Sequence, residues 1–158
     1  AYRMLAESLG DEHPRTMIAM GNYAVTLQKT GHLDEAADVL QRRHELTMRL
    51  FGPLDAQTIV AGNNLAMLWH DLGEFARAAE LLRHVVDSAD ESPECPPFFV
   101  GIFERNLGRC LTGISEYARA ETSLLRSLEL LADMPQSERD KTQTYLDELY
   151  TKWDPGER

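Results

Sequence analysis

The residues of this sequence that could support catalysis are five histidines, two cysteines and a surplus of acidic side chains. The segment HELTM, from His44 to Met48, begins like the zinc-protease motif H-E-x-x-H, but methionine stands where the second histidine must be. One histidine does not hold a zinc ion. Cys95 and Cys110 form no C-x-x-C pair, and neither a G-x-S-x-G segment nor a phosphate-binding glycine loop occurs. We therefore expect no catalytic residue, no metal ligand and no cofactor.

Asparagines at a fixed interval suggest binding instead. Asn22, Asn64 and Asn106 are separated by 42 residues each. An amide can both donate and accept a hydrogen bond, so it can bond to the peptide backbone of a partner. Arg105 and Arg109 lie one helical turn apart and could pair with a carboxylate, each charge-assisted bond contributing roughly 1.5–3 kcal/mol. The 42-residue interval indicates which elements position these side chains.

The composition is that of a soluble globular chain with an acidic balance. Of its 158 residues, 43% are apolar and 27% are charged, and no apolar run approaches the length of a membrane span. The net charge of −10 argues against a nucleic-acid partner, because phosphate binding needs clustered Lys and Arg. No leader segment marks it for secretion, and the two cysteines fit a reducing compartment. We expect a cytoplasmic protein that contacts proteins, and neither nucleic acid nor membrane.

An internal repeat organises most of the chain. A shift of 42 residues brings apolar and small residues into register without any insertion. The aligned columns include Ala36, Ala78 and Ala120; Leu40, Leu82 and Leu124; Leu33, Phe75 and Tyr117; and Leu27, Trp69 and Leu111. Because so many columns stay in register, the sequence predicts an array of similar units.

Each unit is predicted to contain two helices joined by a tight turn. Apolar residues recur at helical spacing over residues 14–29, 56–71 and 98–112, and again over 34–50, 76–89 and 118–131. The connectors GDEHP, GPLDA and SPECPPF are rich in the glycine and proline that stop helices, and residues 90–97 form the longest predicted loop. No segment shows a competing strand pattern, so the predicted fold class is all-α.

The register divides the chain into three units, which comprise residues 10–51, 52–93 and 94–135. Residues 1–9 align with 43–51, the end of a second helix, so we expect the sequence to begin inside a repeat of a longer protein. Residues 136–158 are expected to form a terminal helix, capped by Ser137, and a tail. A repeat array needs such a terminal helix with one polar face.

The units resemble the tetratricopeptide repeat, in which Leu-Gly and an aromatic residue precede a turn and an Ala-x-x-x-Phe segment. Leu107-Gly108 matches that pattern literally, and Leu65-Ala66-x-x-Trp69 matches it closely. The usual unit has about 34 residues. The 42-residue period, with EHP before the first helix and NNLA inside it, is similar to the kinesin light chain subclass, which is also common in bacterial regulatory proteins. The resemblance implies a right-handed superhelical solenoid of antiparallel helix pairs that acts as a protein-binding scaffold.

The first helix of each unit lines the concave side of such a solenoid, which forms an extended groove. Residues on these helices that are out of phase with the core are expected to bind a peptide or a partner protein. They are Asn22, Val25, Lys29, Asn63, Asn64, Met67, His70, Arg105, Asn106 and Arg109. The resemblance implies that the asparagines of the 42-residue column hold the backbone or the terminal carboxylate of the ligand.

The sequence leaves two alternatives open. The asparagine column could bond between neighbouring repeats, while Arg105 and Arg109 could pair with Glu104 or Glu116. The chain could also be a self-association segment that forms homo-oligomers through exposed repeat ends. The string LDELYTKWDPGER resembles the closing segment of repeat regions attached to bacterial serine/threonine kinases. In that alternative, the larger regulatory protein could carry a kinase domain.

Overall fold

Eight α-helices account for most of the described chain. The computed structural model describes residues 2–153 and 156. In these residues the helices are α1 (Tyr2–Leu9), α2 (Pro14–Lys29), α3 (Leu33–Phe51), α4 (Ala56–Asp71), α5 (Phe75–Glu91), α6 (Pro97–Gly113), α7 (Tyr117–Leu130) and α8 (Gln136–Lys152). No strand occurs in this part of the chain, and the predicted all-α class is confirmed.

The helices follow the predicted period. Helices α2 and α4 begin 42 residues apart and also end 42 residues apart. The second helices of the units, α3, α5 and α7, begin at Leu33, Phe75 and Tyr117, which are again separated by 42 residues. Each consecutive pair of helices, from α1 and α2 to α7 and α8, packs together. This nearest-neighbour packing is that of a solenoid of helix pairs.

The turn inside each unit is held by the same backbone hydrogen bonds in all three units. In each, a backbone N–H just after the turn donates to the carbonyl five residues earlier, at 2.8–2.9 Å. This bond closes a Schellman motif, which needs a left-handed residue after the helix. The left-handed residues are Gly31, Gly73 and Ser115, with φ of 80°, 81° and 62°. The third unit therefore keeps the turn although serine replaces glycine.

The connector between the second and third units is shorter than the sequence predicts. The loop is predicted over residues 90–97, but α5 extends two residues into it and α6 begins at its last residue. Arg126 of α7 donates to both carboxylate oxygens of Asp90, at 2.7 and 2.8 Å, and to Glu104 of α6 at 2.6 Å. This guanidinium holds the last turn of α5 against the third unit. Within the connector, the Ser92 hydroxyl donates to the carbonyl of Leu54 at 2.6 Å.

The terminal helix begins two residues earlier than predicted. It starts at Gln136, so Ser137 lies inside the helix, and Pro135 occupies the N-cap position without a side-chain cap bond. The proline ring restricts the backbone that enters the helix. One face of α8 buries Leu146 and Leu149 against the third unit, and the opposite face is polar and exposed.

Small residues let the two helices of a unit pack closely. Ala36, Ala78 and Ala120 have no exposed surface. A Cβ atom on Gly108 would lie 2.6 Å from Cγ of Leu124, which is too close for any side chain. The column that holds alanine in the first two units therefore requires glycine in the third.

Replacing Ser115 with glycine should raise the free energy of unfolding by about 0.5–1 kcal/mol, because glycine adopts a left-handed φ without steric strain. The matched change Gly73→Ser in the preceding turn should lower it by about 1–2 kcal/mol. Urea unfolding followed by circular dichroism measures both changes. A Ser115→Gly protein less stable than its parent would contradict this expectation.

Candidate partner-binding groove

The first helices of the units, α2, α4 and α6, form a row in which α8 takes the next place. Cα atoms of α6 come within 8 Å of α4 on one side and of α8 on the other. In the described chain, no Cα atom of α2 lies within 8 Å of α4. The row is therefore closed in its C-terminal half and open between α2 and α4. The ten residues predicted to bind a partner divide between these two halves.

The open half exposes a stripe along α2. Ile18, Asn22, Val25 and Lys29 follow one another at helical spacing, and all four are exposed, Ile18 at 63% and Val25 at 47%. Asn64 on α4 is also exposed. Within residues 2–153, neither asparagine side chain has a hydrogen-bond partner. Apolar, amide and cationic groups are thus interleaved along one accessible strip.

The asparagine column changes its role where the row closes. Asn106 is buried, and its Nδ2 donates to Oδ1 of Asn63 at 2.9 Å. In the first unit the counterpart of Asn63 is Gly21, which offers no side chain to Asn64. Asn106 therefore bonds between neighbouring repeats, whereas Asn64 is accessible to a partner. Met67, one turn beyond Asn63, is half-buried against the core.

Arg105 lies in the closed half and is held inside the protein. It is buried, and its Nη1 donates to the backbone carbonyl of Glu138 at 3.2 Å and to Oε2 of the same residue at 3.0 Å. Hydrogen bonds from Lys141 and Arg105 lower the pKa of the Glu138 carboxyl. The sequence suggested Glu104 or Glu116 as partners, but both carboxylates pair with arginines of α7. The true partner lies on α8, which the repeat register does not position.

Arg109 and His70 line a cleft of about 290 Å³ between α4, α6 and α8. The Cζ atom of Arg109 lies 4.6 Å from the centre of the Tyr145 ring. The His70 ring meets Phe75 edge-on, with 5.1 Å between the ring centres. The other lining residues are Thr112, Gly113, Glu148 and Lys152. With cations, one carboxylate and aromatic rings around it, this cleft can accept a polar side chain.

One residue that sequence reasoning missed reaches the open half from the second helix of its unit. Arg43 belongs to α3, in a column with the buried residues Val85 and Ser127. Its Nη1 nevertheless lies 3.5 Å from the position that a Cβ atom on Gly21 would take. The sequence signal for this contact is the glycine itself, because the same column holds Asn63 in the next unit. Because Gly21 has no side chain, α2 leaves room for the long side chain of Arg43 from α3.

The HELTM segment lies on the second helix α3, where α3 packs against α4. In the part of the chain that the structure describes, no group of three or more metal-ligating side chains occurs. A Cβ atom on Gly62 would lie 3.1 Å from Cε1 of His44, so α4 approaches the imidazole closely. Burial lowers the pKa of His44, and an interaction with the backbone of Thr58 offsets only part of that shift.

Known sequences resemble the repeat units. Two tetratricopeptide repeat models match residues 17–42 and 58–89. A curated relative, the mitochondrial tetratricopeptide repeat protein 19 of Mus musculus, is 27% identical over 90 residues, which cover 57% of this chain and 24% of that protein. The chain therefore spans about a quarter of the length of that relative.

Solved structures share the fold. A Podosopora anserina kinesin-light-chain-type protein with nearly identical TPR-like repeats has a TM-score of 0.78 at 20% identity, covering 96% of this chain and 73% of that chain. BtubC (BKLC) from P. vanneervenii has a TM-score of 0.78 at 20% identity, covering 84% and 53%. The Yersinia enterocolitica type III secretion translocator chaperone SycD has a TM-score of 0.67 at 18% identity, covering 89% and 96%.

The stacked helix pairs and the matched repeat models define a helical repeat protein of the protein–protein interaction class. More particularly, residues 17–42 and 58–89 match tetratricopeptide repeats, and the fold is similar to that of the kinesin-light-chain-type structures. Both statements confirm the resemblance noted in the sequence. Across residues 2–153 and 156, no helix combines the length and the apolar character that crossing a membrane requires.

Asn106→Ala should lower the free energy of unfolding by about 1–2 kcal/mol, because the Asn63 carbonyl oxygen loses its donor between two helices. The matched change Asn64→Ala, at the exposed counterpart 42 residues earlier, should alter it by less than about 0.5 kcal/mol. Urea unfolding of the two variants measures the difference. Equal losses would show that Asn64 also stitches repeats together.

The free energy of unfolding should fall as the pH drops from about 7 to about 5. The lowered pKa of His44 in the folded chain means that the unfolded chain, with an ordinary histidine pKa of about 6.5, binds the proton more readily. In His44→Leu, which introduces the residue that the third unit has at this column, that part of the acid destabilisation should disappear. Urea titrations across this pH range measure it, with the exposed His84→Leu as the matched control. An unchanged pH dependence in His44→Leu would contradict the assignment.

Proposed function

We propose that the open half of the groove binds an extended segment of a partner protein. The observation that carries this proposal is the exposure of Asn22 and Asn64, whose counterpart Asn106 is bonded inside the protein. A side-chain amide offers both a donor and an acceptor. A peptide laid between α2 and α4 has backbone groups of both kinds to satisfy. The protein–protein interaction class of the chain supports the proposal.

Exposed aliphatic side chains supply the nonpolar part of this contact. Ile18 and Val25 lie one helical turn before and after Asn22 on the same face of α2. Complete burial of such a side chain contributes about 1.5–3 kcal/mol. The amides of Asn22 and Asn64 then hold the direction of the partner backbone, since unpaired polar groups in the contact would weaken it. Affinity comes from the aliphatic pair, and alignment comes from the amides.

The closed half contributes a single pocket to the same row. The cleft beside Arg109 has Lys152 on its lining, and no ion pair to Arg109 occurs within the described residues. A segment that runs along the row from α2 towards α6 can place one side chain in this cleft. The other predicted residues of the closed half then act indirectly. The hydrogen bonds of Asn63, Asn106 and Arg105 fix the positions of the helices that the segment contacts.

We infer that the groove and its cleft have no catalytic role. Cys110 is buried, and burial raises the pKa of its thiol to about 12, which keeps the sulfur protonated and unreactive. In the cleft, the Thr112 hydroxyl donates to the carbonyl of Gly108 at 2.9 Å. It is engaged with its own helix and is not held against a general base, as a nucleophile would be.

A second candidate function is self-association through the N-terminal end of the array. Met4 of α1 is 72% exposed, whereas its counterpart Leu46 in the next unit is 7% exposed. Met17 and Met20 of α2 cover Leu46. Among the described residues, α1 packs against α2, and its Arg3 side chain pairs with Glu35 of α3 at 3.6 Å. A second copy of the chain could cover this face.

Peptides selected from a random display library provide the ligand that tests the groove. Val25→Glu should lower their affinity by about tenfold or more, because it removes an apolar contact and introduces a charge. Asn64→Ala should lower it by about five- to tenfold through loss of backbone hydrogen bonds. The matched control is Leu125→Glu on α7, where the leucine is 45% exposed but lies on a second helix. Isothermal titration calorimetry measures these affinities.

Two outcomes would contradict the groove proposal. Equal losses in Val25→Glu and Leu125→Glu would place the peptide elsewhere on the surface. Failure to select any peptide, with a mass by light scattering that grows with concentration and falls to that of one chain in Met4→Asp, would favour self-association.

A further inference from the structure

Arg43 brings a positive charge to the open half of the groove without an acceptor inside the protein. Its Nη1, Cζ and Nε atoms lie 3.5, 3.6 and 3.8 Å from the Cβ position of Gly21, so the guanidinium lies flat along α2. Nε is buried and has no hydrogen-bond partner in the described chain. Among the same residues, no ion pair includes Arg43.

Other arginines of this protein show the usual arrangement. Arg105, at the first-helix position that corresponds to Gly21, donates twice to Glu138. Arg42, the neighbour of Arg43 in sequence, pairs with Asp11. For Arg43, burial lowers the pKa and no carboxylate opposes that effect. A half-buried charge without a counter-ion destabilises a fold, so packing alone does not account for it.

The repeat register shows that the guanidinium comes from different helices in the first and third units. In the third unit the guanidinium belongs to the first helix, as Arg105, and the second-helix position is Ser127. In the first unit the first helix has Gly21 and the second helix supplies Arg43. Both units bring a guanidinium to the row of first helices. Within the described chain, only the guanidinium of the third unit has an acceptor, which is Glu138 of α8.

We propose that Arg43 is a specificity-determining residue of the groove and binds the carboxylate of an acidic side chain on the partner. This proposal rests on the groove function proposed above. A guanidinium presents a planar set of N–H donors that matches a carboxylate in two parallel hydrogen bonds. Gly21, against which Arg43 lies, is between Ile18 and Val25 on α2. The partner segment therefore has an acidic residue flanked by positions whose apolar side chains contact that aliphatic pair.

Geometry also explains why the cation comes from the second helix. A residue such as Asn63 on the first helix bridges to the next first helix and closes the gap between them. Glycine at position 21 leaves the gap between α2 and α4 open. The long side chain of Arg43 on α3 brings a positive charge to this gap. The first unit thereby combines an accessible groove with a fixed positive charge at its floor. This local charge selects an acidic segment although the whole chain is acidic.

An NMR titration of the whole 158-residue chain tests this assignment at the side chain itself. The Nε–Hε resonances of the arginines, assigned with Arg43→Met and Arg42→Met, are followed while acetate replaces chloride at constant ionic strength. A saturable shift is expected for Arg43 and not for Arg42 or Arg105, which have carboxylates of their own. An Arg43 resonance that moves no more than that of Arg42 would overturn the proposal. Saturation by inorganic phosphate but not by acetate would replace the carboxylate with a phosphorylated side chain.

Arg43→Met separates binding from folding. The thermal midpoint should stay level or rise, because an uncompensated half-buried charge is removed, whereas Arg105→Met should lower it by breaking a buried pair. Library-selected peptides that contain Asp or Glu should bind Arg43→Met about tenfold or more weakly, and Arg42→Met as tightly as the parent. A midpoint that falls as far in Arg43→Met as in Arg105→Met would assign Arg43 a structural role and overturn the proposal.

The two proposals fail in different ways. If Val25→Glu and Arg43→Met both leave peptide binding intact, the groove is not the binding surface. If Val25→Glu abolishes binding while Arg43→Met binds acidic peptides as tightly as the parent, the groove proposal is supported. The proposed role of Arg43 is then wrong. If no peptide is selected, the acetate titration still decides whether Arg43 is a carboxylate site.

Discussion

The close crossing of two helices within each unit is the contact on which the rest of the structure depends. At each crossing the second helix presents only a methyl group, from Ala36, Ala78 or Ala120, and none of these has exposed surface. The same turn geometry follows in every unit, even where Ser115 replaces glycine. Since the units are alike in this respect, their first helices form a row, and a groove exists along it.

Within this regular frame, three residues of one column decide whether neighbouring first helices are joined. Arg105 joins α6 to α8 through Glu138, and Asn63 joins α4 to α6 through Asn106. Gly21 makes no such link, and α2 stands apart from α4. The accessible part of the groove therefore results from the absence of a side chain at one position. At this column, Asn63 and Arg105 join neighbouring first helices, whereas Gly21 leaves an accessible gap.

Most of the fold could be predicted from the sequence, because its signals are local. The 42-residue period, the turns before Leu33, Phe75 and Tyr117, and the bounds of α2 and α4 depend on neighbouring residues and on repetition. The end of α5 was harder to predict, since Arg126 of another helix holds its last turn at Asp90. The start of α8 also differs, because proline restricts the entering backbone there.

The candidate site could be predicted only in outline. Helical phase places Val25 and Asn64 out of phase with the core, and both side chains are exposed. It could not distinguish Asn64 from Asn106, because their difference depends on what the preceding first helix offers 43 residues away. Arg43 was out of reach for the same reason, since its column is a core column in the other units. Contacts between repeats depend on pairs of columns, and a single column does not reveal them.

The uneven distribution of cross-helix bonds has a mechanical consequence. Arg126 ties α5, α6 and α7 together through Asp90 and Glu104, and Arg105 ties α6 to α8. The N-terminal helices lack equivalent ties across the row of first helices in the described chain. A one-dimensional array transmits strain only through neighbouring contacts. We therefore expect tension or torsion to deform the molecule more readily between α2 and α4 than within α5–α8, the four helices that these arginines link.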